Sequence, residues 1–176
     1  MHKKYLLDSN IFIEPSRIYY PFDLAPGFWC QMKKAILSNN VLILDVVYNE
    51  IVKGNDELAS WLKGIIGLNK VTTSVPPIIE AYRRVLSYIS TCVFYTEAAI
   101  DNWSDRTIAD PWIIAAAIEE ARKQEVVIIT FEKFVINTST KRQTHSNAKI
   151  PDVAANFNIA CENLYYFMRE MGIKWK

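Results

Sequence analysis

Short apolar runs alternate with longer stretches of helical period along this chain. Residues 5–8 form a brief apolar run closed by Asp8, and Val41-Leu42-Ile43-Leu44 forms a second. Runs this short, bounded by turn residues, predict buried strands. The segment 126–130, Val126-Val127-Ile128-Ile129-Thr130, predicts a third strand buried on both faces. Helical segments lie between and around these runs. One covers 28–37 and ends at Ser38-Asn39-Asn40. The next covers 46–52, opened by Asp45 as its N-cap and stopped by Gly54-Asn55. Further helices are expected over 57–65, over 75–90, and over 110–123. The last has Asp110 as N-cap, Pro111 at the first helical position and Ala115-Ala116-Ala117 within it. Residues 137–149 are polar apart from Ala148 and predict a loop. A strand over 157–161 and a helix over 162–171 complete the pattern. Short apolar strands separated by helices predict a central parallel sheet covered by helices, an α/β domain. No repeat or low-complexity linker divides the sequence, so residues 1–176 are read as one domain.

Composition narrows the chemistry. Hydrophobic residues make up 51% of the 176 positions and charged residues 22%, which excludes a disordered chain. A formal net charge of +1 gives no general attraction to nucleic acid, so such contact requires a local basic patch or a metal ion. Cys30, Cys92 and Cys161 show neither CxxC nor metal-ligand spacing and read as reduced thiols of a cytoplasmic protein. His2 and His145 fall in a terminus and a loop, which argues against a histidine-based zinc site or catalytic triad. No apolar stretch approaches the roughly 20 residues of a membrane helix, and no signal peptide or glycine-rich phosphate loop is visible.

What remains is carboxylates. In open parallel sheets, sites form outside the carboxyl ends of the strands. Asp8 closes the first predicted strand, Asp45 and Glu50 follow the second, and Glu132 lies two residues beyond the third. Asp110 opens the helix that leads back into that third strand. Glu50 lies three residues after Val47, which predicts a carboxylate turned toward the protein rather than toward water. A buried charge needs a cation or a metal. Carboxylate oxygens without His or Cys suit Mg²⁺ or Mn²⁺. Such ions polarise phosphoryl oxygens, acidify water and stabilise a leaving oxygen. Each acid also has a plain structural role open to it: a strand-end turn for Asp8, caps for Asp45 and Asp110, a solvated charge for Glu132. For Asp45 the cap is the favoured role.

Four segments resemble the motifs of PIN domains. Leu7-Asp8-Ser9-Asn10-Ile11-Phe12 resembles the opening strand, and Val46-Val47-Tyr48-Asn49-Glu50-Ile51 the glutamate-bearing helix. Ala109-Asp110-Pro111-Trp112-Ile113-Ile114-Ala115 resembles the aspartate that opens an alanine-rich helix, and Ile128-Ile129-Thr130-Phe131-Glu132 the threonine followed by an acid. Together they span about residues 5–161. The aromatic segment 19–29, with Gly54-Asn55-Asp56 and Lys149-Ile150-Pro151-Asp152, looks like one PIN-like branch, the DUF4411 group. The resemblance implies a VapC-like, three-layer α/β/α fold and Mg²⁺- or Mn²⁺-dependent ribonuclease activity. Many relatives are toxins of toxin–antitoxin pairs and dimerise, so it also points to a cognate antitoxin and a homodimer. Glu132 departs from the pattern, since aspartate is commoner at that place.

The expected chemistry is hydrolysis of an RNA phosphodiester, with Asp8, Glu50, Asp110 and Glu132 holding metal and Asp152 as an additional candidate ligand. Ser9, Asn10 and Thr130 are expected to orient ligands or water, with local turn bonding as the alternative. Lys141, Arg142 and Lys149 are candidate phosphate contacts, and solvated surface charge is the alternative. Tyr19, Tyr20, Phe22, Phe28 and Trp29 could stack bases, but packing in the core or a dimer is favoured. A phosphatase with an Asp-x-Asp strand end is disfavoured because position 10 is Asn. A phospho-receiver lacks its paired acids and late lysine. A catalytically silent PIN-like binding module remains open.

Overall fold

The computed structural model describes residues 3–136 and 144–174. Strands β1 (Lys4–Leu7), β2 (Val41–Leu44), β3 (Lys70–Val71), β4 (Val126–Ile129) and β5 (Ala160–Glu162) form a sheet of order β3-β2-β1-β4-β5. Every pairing is parallel. All four residues of β2 and of β4 are buried. Side chains alternate between faces along a strand, so consecutive burial means helices cover both sides of the sheet. This α/β arrangement is the one the periodicity predicts and is consistent with a PIN-like three-layer layout.

The helices are α1 (Asn10–Glu14), α2 (Pro26–Ile36), α3 (Asp45–Lys53), α4 (Glu57–Lys63), α5 (Pro76–Thr91), α6 (Glu97–Ser104), α7 (Asp110–Glu120), α8 (Ile150–Asn156) and α9 (Leu164–Glu170). A turn of π-helix, Pro15–Tyr19, continues α1. Helix α7 is buried on all sides from Pro111 through Ile118 and packs on β1, β4 and α5. A helix apolar all round belongs in the interior, and its alanines allow that close packing. The buried residues from Tyr5 to Ile173 form one continuous hydrophobic cluster. Among the described residues, no helix is long and apolar enough to cross a membrane.

The aromatic segment packs as favoured. Phe22 stacks on Trp29 with centroids 4.1 Å apart, Trp29 meets Trp61 at 4.9 Å, and the Trp29 indole N–H donates to the Tyr20 carbonyl at 2.8 Å. Tyr19 alone of the five rings stays exposed.

Several local expectations need correction. Neither Asp45 nor Asp110 is an N-cap; the caps are Leu44 and Ala109, and each aspartate is the first helical residue. The Asp45 carboxylate accepts N–H bonds from Val46 at 2.8 Å and from Thr73 at 3.1 Å, tying α3 to the chain that leaves β3. Helix α6 and the two-residue β3 lacked a period long enough to register. The expected strand over 157–161 begins later, because α8 occupies Ile150–Asn156 and Asn158 turns the chain with a φ of 57°. Of the predicted loop over 137–149, residues 137–143 lie outside the described residues.

Replacing Asp45 by Ala should destabilise the fold by about 1–2 kcal/mol while leaving divalent-metal affinity unchanged. Urea unfolding and calorimetric Mn²⁺ titration of the variant check this; a lost metal affinity would return Asp45 to the site.

Candidate functional site

The register aligns Leu7 with Ile129 and Ile129 with Glu162, so Asp8, Thr130 and Asn163 follow in one row at the carboxyl ends of β1, β4 and β5. Asp8 is 2% exposed. Its strongest partner is the Thr130 hydroxyl, which donates to Oδ2 at 2.8 Å. Ser9 and Asn10 reach the same carboxylate at 3.4 and 3.5 Å, the outer limit of a hydrogen bond. The Thr130 oxygen also accepts the backbone N–H of Glu132 at 3.0 Å. One hydroxyl thus links both acids.

Glu132 is held from the other side. Its Oε2 accepts the Ile150 N–H at 2.7 Å, at the start of α8, and its Oε1 pairs with the Lys149 ammonium at 2.5 Å. The Asp110 carboxylate has no hydrogen-bond donor among the described residues. Burial, then the charges of Asp8, Glu132 and Glu50, push its pKa up to about 8, with Lys149 opposing them. Burial also raises Asp8, to about 6; the Thr130 hydrogen bond works against this, and Glu132 and Glu50 add to it. Lys149 is raised, chiefly by its bond to Glu132. Four acids therefore bear on one another across one rim.

Other expectations are placed differently. Glu50 is exposed, not turned inward. The buried stripe of α3 is only Val47 and Ile51, and at 3.6 residues per turn Glu50 sits about 60° off Val47, at the stripe's edge. The carboxylate of the buried Asp152 accepts N–H bonds from Val135 at 3.1 Å and Ile136 at 3.1 Å, anchoring the segment after Glu132 to α8. Lys149 faces Glu132 rather than standing free for phosphate. Lys141 and Arg142 lie outside the described residues. The double role of Thr130 and the pairing of Lys149 were missed. Pro151 one residue into α8 marks a helix start and was the signal available for the second.

Among the described residues, no three acidic, histidine or cysteine side chains stand together in coordination geometry. The donor chemistry nevertheless fits a hard divalent ion: carboxylate oxygens only, raised in pKa by burial and by one another's charge.

Beside the acids, a cleft of about 590 Å³ opens at the ends of β4 and β5, lined by Thr130 and Glu132, by aromatic side chains, by Glu14 and Glu162 and by Lys133. Burial raises the Cys161 thiol in its lining to about 12, helped by the charges of Asp8, Glu132 and Glu162, and since Thr130 and Glu132 belong to both, the cleft and the acid rim are contiguous.

The fold and rim define a parallel α/β domain with an acidic centre at its strand ends. The chain belongs to the DUF4411 family, described as a domain of unknown function, whose model matches residues 5–175. No curated protein matches it.

Both aspartates bind protons more readily folded than unfolded. Their contribution to stability is therefore fully present below about pH 4 and is lost as pH rises through about 6 for Asp8 and about 8 for Asp110. Mn²⁺ at a hundredfold excess over its Kd should raise the melting temperature by roughly 5–10 °C at pH 8 and hardly at all at pH 4.5. Thermal melts with Mn²⁺ and with EDTA check this; an equal rise in an Asp8→Asn/Asp110→Asn double variant would place the ion elsewhere.

Proposed function

We propose that this chain is a PIN-like, VapC-like endoribonuclease that hydrolyses RNA phosphodiester bonds with Mg²⁺ or Mn²⁺. The observation that carries the reading is the buried Asp110 carboxylate beside Asp8 and Glu132 at the strand ends, raised in pKa by burial and then by the charges of Asp8, Glu132 and Glu50, with Lys149 opposing. A rim so charged suits a divalent ion and, through it, a phosphate. Asp8, Glu50 and Asp110 would hold the ion, with Glu132 joining them on release from Lys149. When bound, it supplies positive charge for the phosphoryl oxygens and for the departing oxygen.

The protein's own groups set the geometry. Thr130 fixes the Asp8 carboxylate and the start of the Glu132 turn. Lys149 holds Glu132 and lowers the local negative charge that an approaching phosphate meets. RNA as substrate, an antitoxin partner and a homodimer rest on the resemblance of the four motifs, and a cytoplasmic location on Cys30, Cys92 and Cys161 reading as reduced thiols. A binding module without catalysis is the second reading, favoured by the engagement of Glu132 with Lys149 and the Ile150 N–H.

Purified protein with Mn²⁺ should cleave a mixed, labelled RNA pool, and EDTA should stop it. Asp8→Asn and Asp110→Asn should each lower the rate on the order of a hundredfold or more. RNA that is bound but never cut, with any divalent ion, would favour the binding module.

Thr130→Val keeps the shape but removes the donor to Asp8. It should weaken Mn²⁺ binding about 10–100-fold, as read by calorimetry, whereas Thr130→Ser should restore most of it.

A further inference from the structure

Thr130 and Glu132 apart, the residues that line the cleft beside the acid rim are not used by the chemistry above. Tyr19, Phe131, Phe134 and Tyr165 line it, with Tyr19 and Phe131 centroids 5.8 Å apart. Tyr19, Phe134 and Tyr165 are 47%, 64% and 41% exposed, so three of the protein's exposed large rings gather at this one place. Its volume of about 590 Å³ lies within the roughly 300–1,000 Å³ of pockets that take small molecules. Exposed rings in a cleft offer faces for stacking, and a nucleobase is the flat partner that an RNA strand presents.

The polar groups narrow the choice of base. Glu14, Glu162 and Lys133 also line the cleft, and among the described residues neither the Glu14 nor the Glu162 carboxylate has a hydrogen-bond or ion-pair partner. With two unpaired carboxylates against the single ammonium of Lys133 the lining is net acidic, which favours a base edge over a phosphate. A carboxylate accepts and does not donate, and it pairs best with two parallel N–H donors. On its Watson–Crick edge, guanine alone of the four bases presents two adjacent donors, N1–H and the N2 amino group. Adenine and cytosine set a donor beside an acceptor, and uracil flanks one donor with two acceptors.

Position agrees with this. The cleft lies at the ends of β4 and β5 and the acids at the ends of β1 and β4, neighbouring strands about 4.8 Å apart. A strand whose phosphate lies on the acids can drop an adjacent base into the cleft. We infer that the cleft between Tyr19, Phe131, Phe134 and Tyr165 is a guanine-recognition subsite, with Glu14 or Glu162 accepting from the base edge. The inference rests on the ribonuclease reading for where the backbone lies, and on the cleft alone for the base.

Two measurements separate the two ideas. The first is cleavage, with Mn²⁺, of single-stranded RNAs that carry G, A, C or U at one position of an otherwise fixed sequence. The second is calorimetric titration of the metal-free protein with the nucleosides guanosine and adenosine. We expect cuts next to guanine to be at least tenfold faster, and guanosine to bind at least tenfold tighter than adenosine. Glu14→Gln with Glu162→Gln should erase both preferences, and Tyr165→Ala should weaken guanosine binding about tenfold. Cleavage indifferent to base, with equal binding of both nucleosides, would overturn the subsite and leave the nuclease reading standing. Absence of cleavage on every RNA would overturn the nuclease reading, and the nucleoside titration would still decide the subsite. A guanine preference that survives the double glutamine variant would also overturn it.

Discussion

Asp8 ends a strand that is closed in on both faces, and a carboxylate there must find a donor or a cation. The Thr130 hydroxyl, at the matching end of the neighbouring strand, meets it at 2.8 Å. That bond requires β1 and β4 in their observed register, since a one-residue slip would turn Thr130 to the opposite face. The same oxygen receives the Glu132 N–H, so the bend after β4 starts from the atom that anchors Asp8. Glu132 then reaches the first N–H of α8, and Asp152 in α8 reaches back to Val135 and Ile136. A chain of local bonds carries the position of one buried acid across to a helix.

The acids differ in their support. Asp8 has a good donor, Glu132 has a cation and a backbone N–H, and Asp110 has neither among the described residues. Burial, then the charges of its neighbours, accordingly raises the pKa of Asp110 further than that of Asp8. Its place is fixed instead by α7, whose buried faces and packing on β1, β4 and α5 leave the helix little freedom. A polar group is here positioned by apolar packing, while its neighbours are positioned by hydrogen bonds.

Much of the fold was legible because four-residue apolar runs and long periodic helices have few alternative meanings. β2 falls where Val41-Leu42-Ile43-Leu44 predicts it, and β4 differs from expectation by one residue. What escaped was short or shaped by distant contacts. β3 has two residues and no pattern to detect. In the site, Asp8 and Glu132 could be placed on one rim from the strand ends, and Asp110 from the helix that leads back into β4. The inward turn expected of Glu50 failed because spacing marks a face of a helix but not how wide its buried stripe is. Asp152 and Lys149 have partners far away in sequence, or across a loop, and local pattern carries no information on such pairings.

The parallel topology also has a consequence in time. β1 pairs with β4 across more than a hundred residues, and parallel strands cannot pair through a tight turn. Contacts of such long sequence separation form late and slowly. As the chain is made, Asp8 emerges early and waits without Thr130, Glu132 or Lys149. The acidic centre therefore does not exist in any nascent fragment shorter than β4, and whatever the centre does begins only when the sheet has closed around it.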